Sequence, residues 1–244
     1  MQKIVLIIQA RMGSTRLPGK SMMPLCGKPL IIHVLERVGR CRSIDEVVLA
    51  TSTNADNDVL ATCAQEHGVS CFRGSENDLL ERYYLAASKH EAEIVLRLPA
   101  DNVCSEPQEF DRLVNYHLQS SNDFSSNICN FKGNRYPDGI GVEAIDFRAL
   151  KLAHYENHAH QNREHVATNF YDYINDQLPE KTQFRVGTIR CPEDIARPDI
   201  VLDVNTPEDY ETMRNLYMDL YPANSQFSIH DIIGWFDSKK VVKI

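Results

Sequence analysis

Short apolar runs alternate with amphipathic segments along the first half of the chain. Apolar, β-branched runs predict strands, and apolar residues recurring every three to four positions predict helices. These patterns place strands at 3–10, 46–51, 69–72 and 93–98, and helices at 29–41, 57–67 and 77–90. Apolar strands separated by helices are typical of a parallel sheet covered by helices on both faces. The first half therefore predicts an α/β fold.

The second half has a less regular pattern. Pro137-Asp138-Gly139 is typical of a turn, and Thr206 and Asp209 are suited to cap a helix that begins at Pro207 and runs to about 221. The remaining segments are predicted as an extended stretch at 123–131, helices at 146–157 and 162–175, and strands at 183–189 and 199–204. We predict one domain over 1–244 with an inserted hairpin or lobe around 123–145.

Composition and charge narrow the class of protein. The 244 residues are 43% hydrophobic and 25% charged, as in an ordinary globular enzyme, and contain no apolar run long enough to predict a membrane span. Seven scattered cysteines without a C-x-x-C pair favour a reduced, cytoplasmic protein over a zinc ribbon or a disulfide framework. A net charge of −8 argues against a nucleic-acid partner. We therefore expect an enzyme of small molecules.

The segment 9–20 (QARMGSTRLPGK) carries the strongest indication of chemistry. It follows the first predicted strand, and an open parallel sheet binds its ligand at the carboxyl ends of its strands. Arg11, Arg16 and Lys20 lie in it, whereas the first acidic residue of the chain is Glu36. Loop N–H groups and these cations suit phosphate oxygens. The segment predicts a triphosphate-binding loop; a solvated basic loop is the plainer alternative.

A P-loop is a rival interpretation of the same segment. Five residues separate Gly13 from Gly19, where the Walker A sequence has four, and the extra residue brings Pro18 before the second glycine. A proline there is incompatible with the tight phosphate cradle of a P-loop. The sequence therefore disfavours a P-loop NTPase.

The segment 8–29 (IQARMGSTRLPGKSMMPLCGKP) resembles the opening of the SpsF-type cytidylyltransferases, named for spore-coat polysaccharide synthesis and related to CMP-KDO and CMP-sialic acid synthetases. Shorter matches follow in order at 50–52, 72–76, 82–84, 136–139, 163–166 and 206–209. The resemblance implies a Rossmann-like nucleotidyltransferase fold with a mostly parallel central sheet. It also implies CTP as donor, Mg²⁺ or Mn²⁺ as cofactor, pyrophosphate release and a homodimer.

The resemblance also implies a role for individual residues. The residues assigned to the nucleotide are Ala10, Arg11, Gly13, Ser14, Arg16, Lys20, Thr51, Arg73 and Ser75. Those assigned to catalysis are Arg11, Arg16, Lys20 and Asp101, and those assigned to the acceptor are Tyr136, Asp138, Arg163 and His165. Two alternatives stay open: Arg73 forms a surface ion pair with Glu76, and Arg163 and His165 are structural.

The expected metal site departs from that of the related synthetases. Asp101 follows the fourth predicted strand, where the relatives have a metal-binding Asp. The second carboxylate is expected directly before Thr-Pro-Glu-Asp, but Asn205 stands there, with Asp203 two residues earlier on the same face of an extended stretch. We expect Asp101, Asp203 and Asn205 to bind Mg²⁺ through oxygen. Alternatively, Asp203 only ends a strand.

The resulting hypothesis is an in-line attack by an acceptor oxygen on the α-phosphorus of CTP. The acceptor is a sugar or sugar-like acid, or its phosphate, used for surface polysaccharide precursors. Three alternatives remain: a sugar nucleotidyltransferase using another NTP, a non-catalytic nucleotide-binding protein, and a nucleotide-sugar-dependent glycosyltransferase. The last is suggested by Asp56-Asn57-Asp58, which has the D-x-D form of a metal site but also suits helix capping.

Overall fold

A seven-stranded sheet forms the centre of the computed structural model, which describes residues 2–128, 131, 133–157, 159–173, 175–179 and 182–241. The strands are β1 (Ile4–Gln9), β2 (Pro24–Leu25), β3 (Lys28–Pro29), β4 (Glu46–Ser52), β5 (Ser70–Gly74), β6 (Ile94–Pro99), β7 (Phe124–Ser126), β8 (Glu143–Asp146) and β9 (Val186–Gly187). The sheet order is β5-β4-β1-β6-β8-β7-β9, and β2 and β3 form a separate hairpin. Among the strand pairs described in the seven-stranded sheet, β6–β8 and β7–β8 are antiparallel and the others are parallel. The predicted mostly parallel sheet is confirmed.

Helices cover both faces of this sheet. Among the described residues they are α1 (Leu30–Val38), α2 (Asp58–Glu66), α3 (Leu79–Lys89), α4 (Pro107–Gln119), α5 (Phe147–Glu156), α6 (His160–Glu164), α7 (Pro207–Leu220) and α8 (Ile229–Val241). Alternate residues of β1 enter two apolar cores. Leu6 belongs to the core that contains residues of α1, α2, α4, α7 and α8, whereas Ile7 belongs to the core that contains residues of α3 and α5. This alternation is the side-chain period of a strand, and it confirms the two-faced α/β architecture.

Two predictions for the second half are wrong. The helix expected at 162–175 breaks after Glu164: a 3-10 turn spans Val166–Asn169, and Asp172 then bridges to Gln177. Ile174, within that prediction, lies outside the described residues. The strand expected at 199–204 forms only a bridge between Val201 and Asp138. The segment does not continue into a ladder. Leu202 N–H donates to the carbonyl of Asp138, and Val204 N–H donates to the carbonyl of Asp101. This segment therefore ties two loops together at the edge of the sheet.

The segment 123–145 joins the central sheet at both ends, through β7 and β8. Between them Phe131 and Tyr136 are fully buried, while residues 129, 130 and 132 lie outside the description. A single domain with an inserted lobe stays a prediction. In the part of the chain that is described, no helix combines the length and apolar character that crossing a membrane requires.

Candidate active site

A cavity of about 300 Å³ opens at the carboxyl ends of β1 and β6. Gln9 and Pro99, the last residues of these strands, line it together with much of the loop 10–21. His165, after α6, and Asn205, before α7, line other parts of its wall. The cavity thus lies at the sheet edge where a parallel α/β fold is expected to bind its ligand.

The loop 10–21 is closed on itself and anchored from outside. Gly19 N–H donates to the carbonyl of Met12 over 2.9 Å, and Gly19 has φ of +73°, in the left-handed region that favours glycine. Met12 N–H in turn donates to Asn57 Oδ1 over 2.8 Å. Asn57 precedes α2, but its side chain makes no capping hydrogen bond. The middle residue of Asp56-Asn57-Asp58 therefore holds the basic loop in place, which neither the capping nor the metal interpretation anticipated.

Basic loop residues and an acidic strand end meet at the floor of the cavity. Lys20 Nζ lies 2.5 Å from Asp101 Oδ2 and donates to the carbonyl of Val204 over 2.8 Å. Arg16 Nη2 donates to Asn205 Oδ1 over 2.8 Å. The side chains of Lys20 and Asp101 are both more than four-fifths buried, so water screens this ion pair weakly. Three separate chain segments thus converge at the floor of the cavity.

Asp203 adds a further acid next to this centre. Its carboxylate accepts a hydrogen bond from the Asn205 amide. The pKa of Asp203 is raised to about 6. The largest cause is burial, followed by the neighbouring carboxylates of Asp138 and Asp101. Burial and Asp101 also raise the pKa of Asp138. The acids repel one another, and such a group of carboxylates is stabilised by a bound cation.

The donor set of this acid group fits a hard cation. Asp101, Asp203 and Asn205 all offer oxygen, the ligand atom that Mg²⁺ prefers. Within the residues that the structure describes, no three His, Cys, Asp or Glu side chains already form a metal cluster. Two carboxylates and one amide therefore agree with the chemistry of Mg²⁺, leaving water or substrate oxygens to complete the coordination.

Other residues predicted to bind the nucleotide also line the cavity. Ala10, Arg11 and Ser14 are part of its wall, whereas Gly13 is not. The Arg11 guanidinium is exposed and lies 3.7 Å from Glu76 Oε1. Among the described residues Arg11 is held by this weak surface contact, so its charge stays available to an anion.

The resemblance places Ala10, Thr51, Arg73 and Ser75 near the cytosine; of these, Ala10 lines the cavity and the other three lie outside its lining. Arg73 forms an ion pair with Asp58 at 2.6 Å, not with Glu76, and also donates to backbone carbonyls. Ser75 Oγ accepts from Asp78 N–H, and Thr51 is fully buried in β4. Contact of Arg73, Ser75 or Thr51 with a base stays a prediction.

The predicted acceptor residues are dispersed. His165 lines the cavity, and Asp138 belongs to the acid group described above. Tyr136 is buried and donates to Glu109 Oε2 over 2.7 Å. Arg163 makes a two-pronged ion pair with Asp78, at 2.6 and 2.7 Å. Tyr136 and Arg163 are thus tied to structural partners, which favours the structural alternative for Arg163.

Two arginines of the cavity wall escaped the sequence interpretation. Arg97 donates to Glu143 Oε2 over 2.7 Å, and Arg82 donates to the carbonyl of Ser75 over 3.1 Å. In both, Nε is buried without a hydrogen-bond partner among the described residues. A lone cation within the apolar run EIVLRL was the available signal for Arg97, because a charge is rarely buried in a strand without a role.

Comparisons with known proteins agree with this geometry. Residues 5–228 match the family model described as cytidylyltransferase. The spore coat polysaccharide biosynthesis protein SpsF of Bacillus subtilis is 32% identical over 89% of this chain and 87% of its own length. A 3-deoxy-manno-octulosonate cytidylyltransferase of Anaeromyxobacter dehalogenans is 37% identical over 47% of each chain.

The fold is also that of a solved relative. The structure of a cytidylyltransferase from Leptospira borgpetersenii superposes with a TM-score of 0.87 at 27% identity, covering 99% of this chain and 97% of the other. The match of the family model spans most of the chain. Together with the cavity at the carboxyl ends of β1 and β6, these similarities settle the assignment. The chain belongs to the cytidylyltransferase family.

Proposed function

We propose that this cytidylyltransferase transfers CMP from CTP to an oxygen of a small sugar or sugar-like acid, or of its phosphate, for surface glycan precursors. The observation that carries the proposal is the convergence of Arg16 and Lys20 with Asp101 and Asn205 at the cavity floor. The names of the relatives, one from spore-coat polysaccharide synthesis and one acting on an octulosonate, support the class of acceptor.

The basic loop would bind the triphosphate. Arg11, Ser14, Arg16 and Lys20 all line the cavity and present N–H or O–H donors, as phosphate oxygens require. In the reaction the acceptor oxygen forms a bond to the α-phosphorus, the bond from that phosphorus to the bridging oxygen breaks, and pyrophosphate leaves. Positive groups that hold the β- and γ-phosphates stabilise the charge developing on that leaving group.

Asp101, Asp203 and Asn205 would hold Mg²⁺, or Mn²⁺ in its place. A divalent ion bound there supplies positive charge to the phosphate oxygens. The ion pair between Lys20 and Asp101 has to open for this arrangement, which frees the carboxylate for the ion and the ammonium for the phosphates. Repulsion among Asp101, Asp138 and Asp203 favours this exchange, because it raises the energy of the metal-free carboxylates.

The acceptor would lie near the cationic part of the same cavity. Arg82, Arg97 and His165 line it, and the first two have buried Nε–H groups without a partner among the described residues. Donors of this kind suit the carboxylate or hydroxyls of an acidic sugar. Asp138, close to Asp203, is a further polar group for such an acceptor. By family resemblance we also propose a cytoplasmic homodimer.

A pyrophosphate-release screen tests the proposal. CTP, UTP, GTP and ATP are each supplied with Mg²⁺ and a panel of acidic sugars and phosphorylated small molecules. We expect release with CTP and one class of acceptor, and none in the matched variant Asp101→Asn. Release with another NTP would indicate a different nucleotidyltransferase. Consumption of a nucleotide sugar without pyrophosphate would indicate a glycosyltransferase, and nucleotide binding without turnover on any acceptor would indicate a binding protein.

A further inference from the structure

A second cavity, of about 250 Å³, lies between α1 and the far end of α7. On one side it is lined by Lys28 of the hairpin, His33 and Arg37 of α1, and Arg40, which follows α1. On the other side it is lined by Tyr217 of α7 and by Tyr221, the residue after α7. Among the described residues, it shares no lining residue with the active-site cavity. Because a helix rises 1.5 Å per residue, Tyr221 lies about 20 Å along α7 from its start beside Asn205. We name this cavity the α1–α7 cavity.

Two arginine side chains that line this cavity, the first buried and the second half-buried, have unused donors. Arg37 is 3% exposed; its Nε donates to the carbonyl of Ser105 over 2.7 Å. Arg40 Nη1 donates to the carbonyl of Gln226 over 3.3 Å. Nη2 of each arginine is buried and has no hydrogen-bond partner within the described part of the chain. Buried donors are normally satisfied, so these two groups indicate a missing acceptor.

The charges around these arginines do not balance them. Burial, and then the Arg37 guanidinium, lower the pKa of Arg40, as expected for two neighbouring cations. The facing acids are Glu36, which already pairs with Lys28, and Glu106. Glu106 Oε2 lies 3.8 Å from Arg37 Nη2, beyond hydrogen-bond distance, and accepts the N–H of Ile229. In a chain of net charge −8, this is a local excess of positive charge.

His33 adds an acceptor to the same wall. Its Nε2 lies 2.6 Å from the carbonyl of Leu25, so this nitrogen carries the proton. Burial lowers the pKa of His33, which keeps the ring neutral near pH 7 and leaves a lone pair on Nδ1. Nδ1 is buried with no hydrogen-bond partner among the described residues, and the ring packs edge-on against Tyr217 and Tyr221. The cavity thus offers cationic donors and, at His33 Nδ1, an acceptor that has no hydrogen-bond partner among the described residues.

We propose that the α1–α7 cavity binds a phosphate group, as free phosphate or as a small phosphate monoester, at a site separate from the active site. A singly protonated phosphate has oxygens that accept from Arg37 and Arg40 and one hydroxyl that donates to His33 Nδ1. Arginine is the side chain best suited to bind phosphate oxygens in this way. The position of both arginines near the carboxyl end of α1 suits the helix dipole, but it does not account for their unpaired buried donors.

Calorimetry with inorganic phosphate tests this proposal. The titrations use an Arg16→Ala background, which weakens anion binding at the active-site loop. In that background we expect phosphate to bind, and Arg40→Gln to weaken binding about tenfold or more by removing a charge-assisted contact. Arg42→Gln is the matched control: it removes the same charge from an exposed residue two positions away and should leave the affinity within about twofold.

Three outcomes would overturn the proposal. These are loss of all phosphate binding in the Arg16→Ala background, equal affinity in Arg40→Gln and its parent, and equal effects of Arg40→Gln and Arg42→Gln. Sulfate carries no proton at neutral pH, so equal affinity for sulfate and phosphate would contradict the role of His33. Tighter binding of glycerol phosphate than of phosphate would identify a monoester as the ligand, and equal affinity would identify free phosphate. Pyrophosphate release by Arg40→Gln, measured without phosphate and with Arg16 intact, should match wild type.

Discussion

Replacing Asp203 with Asn should stabilise the metal-free protein while abolishing its Mg²⁺-dependent turnover. Asp203 is a half-buried acid beside Asp101 and Asp138, and its pKa rises from an ordinary value of 3.8 to about 6. Asn has the same shape and keeps an oxygen that accepts from the Asn205 amide. The substitution therefore removes repulsion without removing the hydrogen bond, and at the same time removes a negative charge from the proposed metal site.

The size of the stability gain expected for Asp203→Asn, and its dependence on pH, follow from the raised pKa of Asp203. Each pKa unit corresponds to about 1.4 kcal/mol, so the full difference amounts to about 3 kcal/mol. Water around the half-exposed carboxyl screens the charges, which reduces the expected gain to about 1 kcal/mol. Because the folded-state pKa is raised, the stability contributed by protonated Asp203 is present below about pH 4 and is lost as the pH rises through about 6. The stability advantage of Asp203→Asn over wild type should therefore appear above pH 6 and vanish near pH 4.

Denaturant unfolding in EDTA, at about pH 7.5 and about pH 4, measures this difference in the free energy of unfolding. Asp56→Asn, at an exposed position before α2, is the control and should not stabilise the protein. Equal or lower stability of Asp203→Asn at the higher pH would refute the repulsion among the acids. An unchanged Mg²⁺ activation curve would show instead that Asp203 is not a metal ligand.

Three further predictions follow from the site. Arg16→Ala and Lys20→Ala should each lower kcat/KM about 10²-fold, the scale of one lost charged contact in the transition state; wild-type steady-state kinetics would contradict the phosphate-loop assignment. Asn205→Asp should keep turnover and lower the Mg²⁺ concentration needed for half-activation, and a higher requirement in the activation curve would count against Asn205 as a ligand. Gly139→Ala should lower the free energy of unfolding by about 1–3 kcal/mol. The reason is that Gly139 has φ of +89° and that a Cβ there would lie 2.8 Å from Asp203 N. An unchanged denaturation midpoint of Gly139→Ala would contradict the predicted loss of stability.

The main strands and helices up to residue 98 were predictable because their information is local. Each strand and helix there lies within a short segment, and the basic loop follows β1 directly, so the position of Arg16 and Lys20 followed from sequence order alone. Helix α4 was missed although its signal was present: Pro107 begins it, and Phe110, Val114 and His117 recur on its buried face.

The remaining features depend on contacts between distant residues. The apolar run at 199–204 looks like a strand, yet Leu202 and Val204 use their N–H groups to tie the loops of Asp138 and Asp101. Arg163 looked like a ligand of the acceptor, and nothing near it in sequence reveals its ion pair with Asp78. Tertiary partners of this kind override local pattern, and a single sequence does not encode them in a short segment.

Nucleotide selectivity is the most direct test of the central claim, because it needs no knowledge of the acceptor. Calorimetry with Mg²⁺ measures the affinities of CTP, UTP, GTP and ATP for the wild-type protein, with Lys20→Ala as the variant that weakens phosphate binding. We predict that CTP binds at least about tenfold more tightly than the other nucleotides, because a site that hydrogen-bonds the edge of one base leaves polar groups unpaired with another. We also predict that Lys20→Ala weakens all four in proportion. Equal affinity for all four nucleotides in the wild-type protein would contradict cytidylyl transfer.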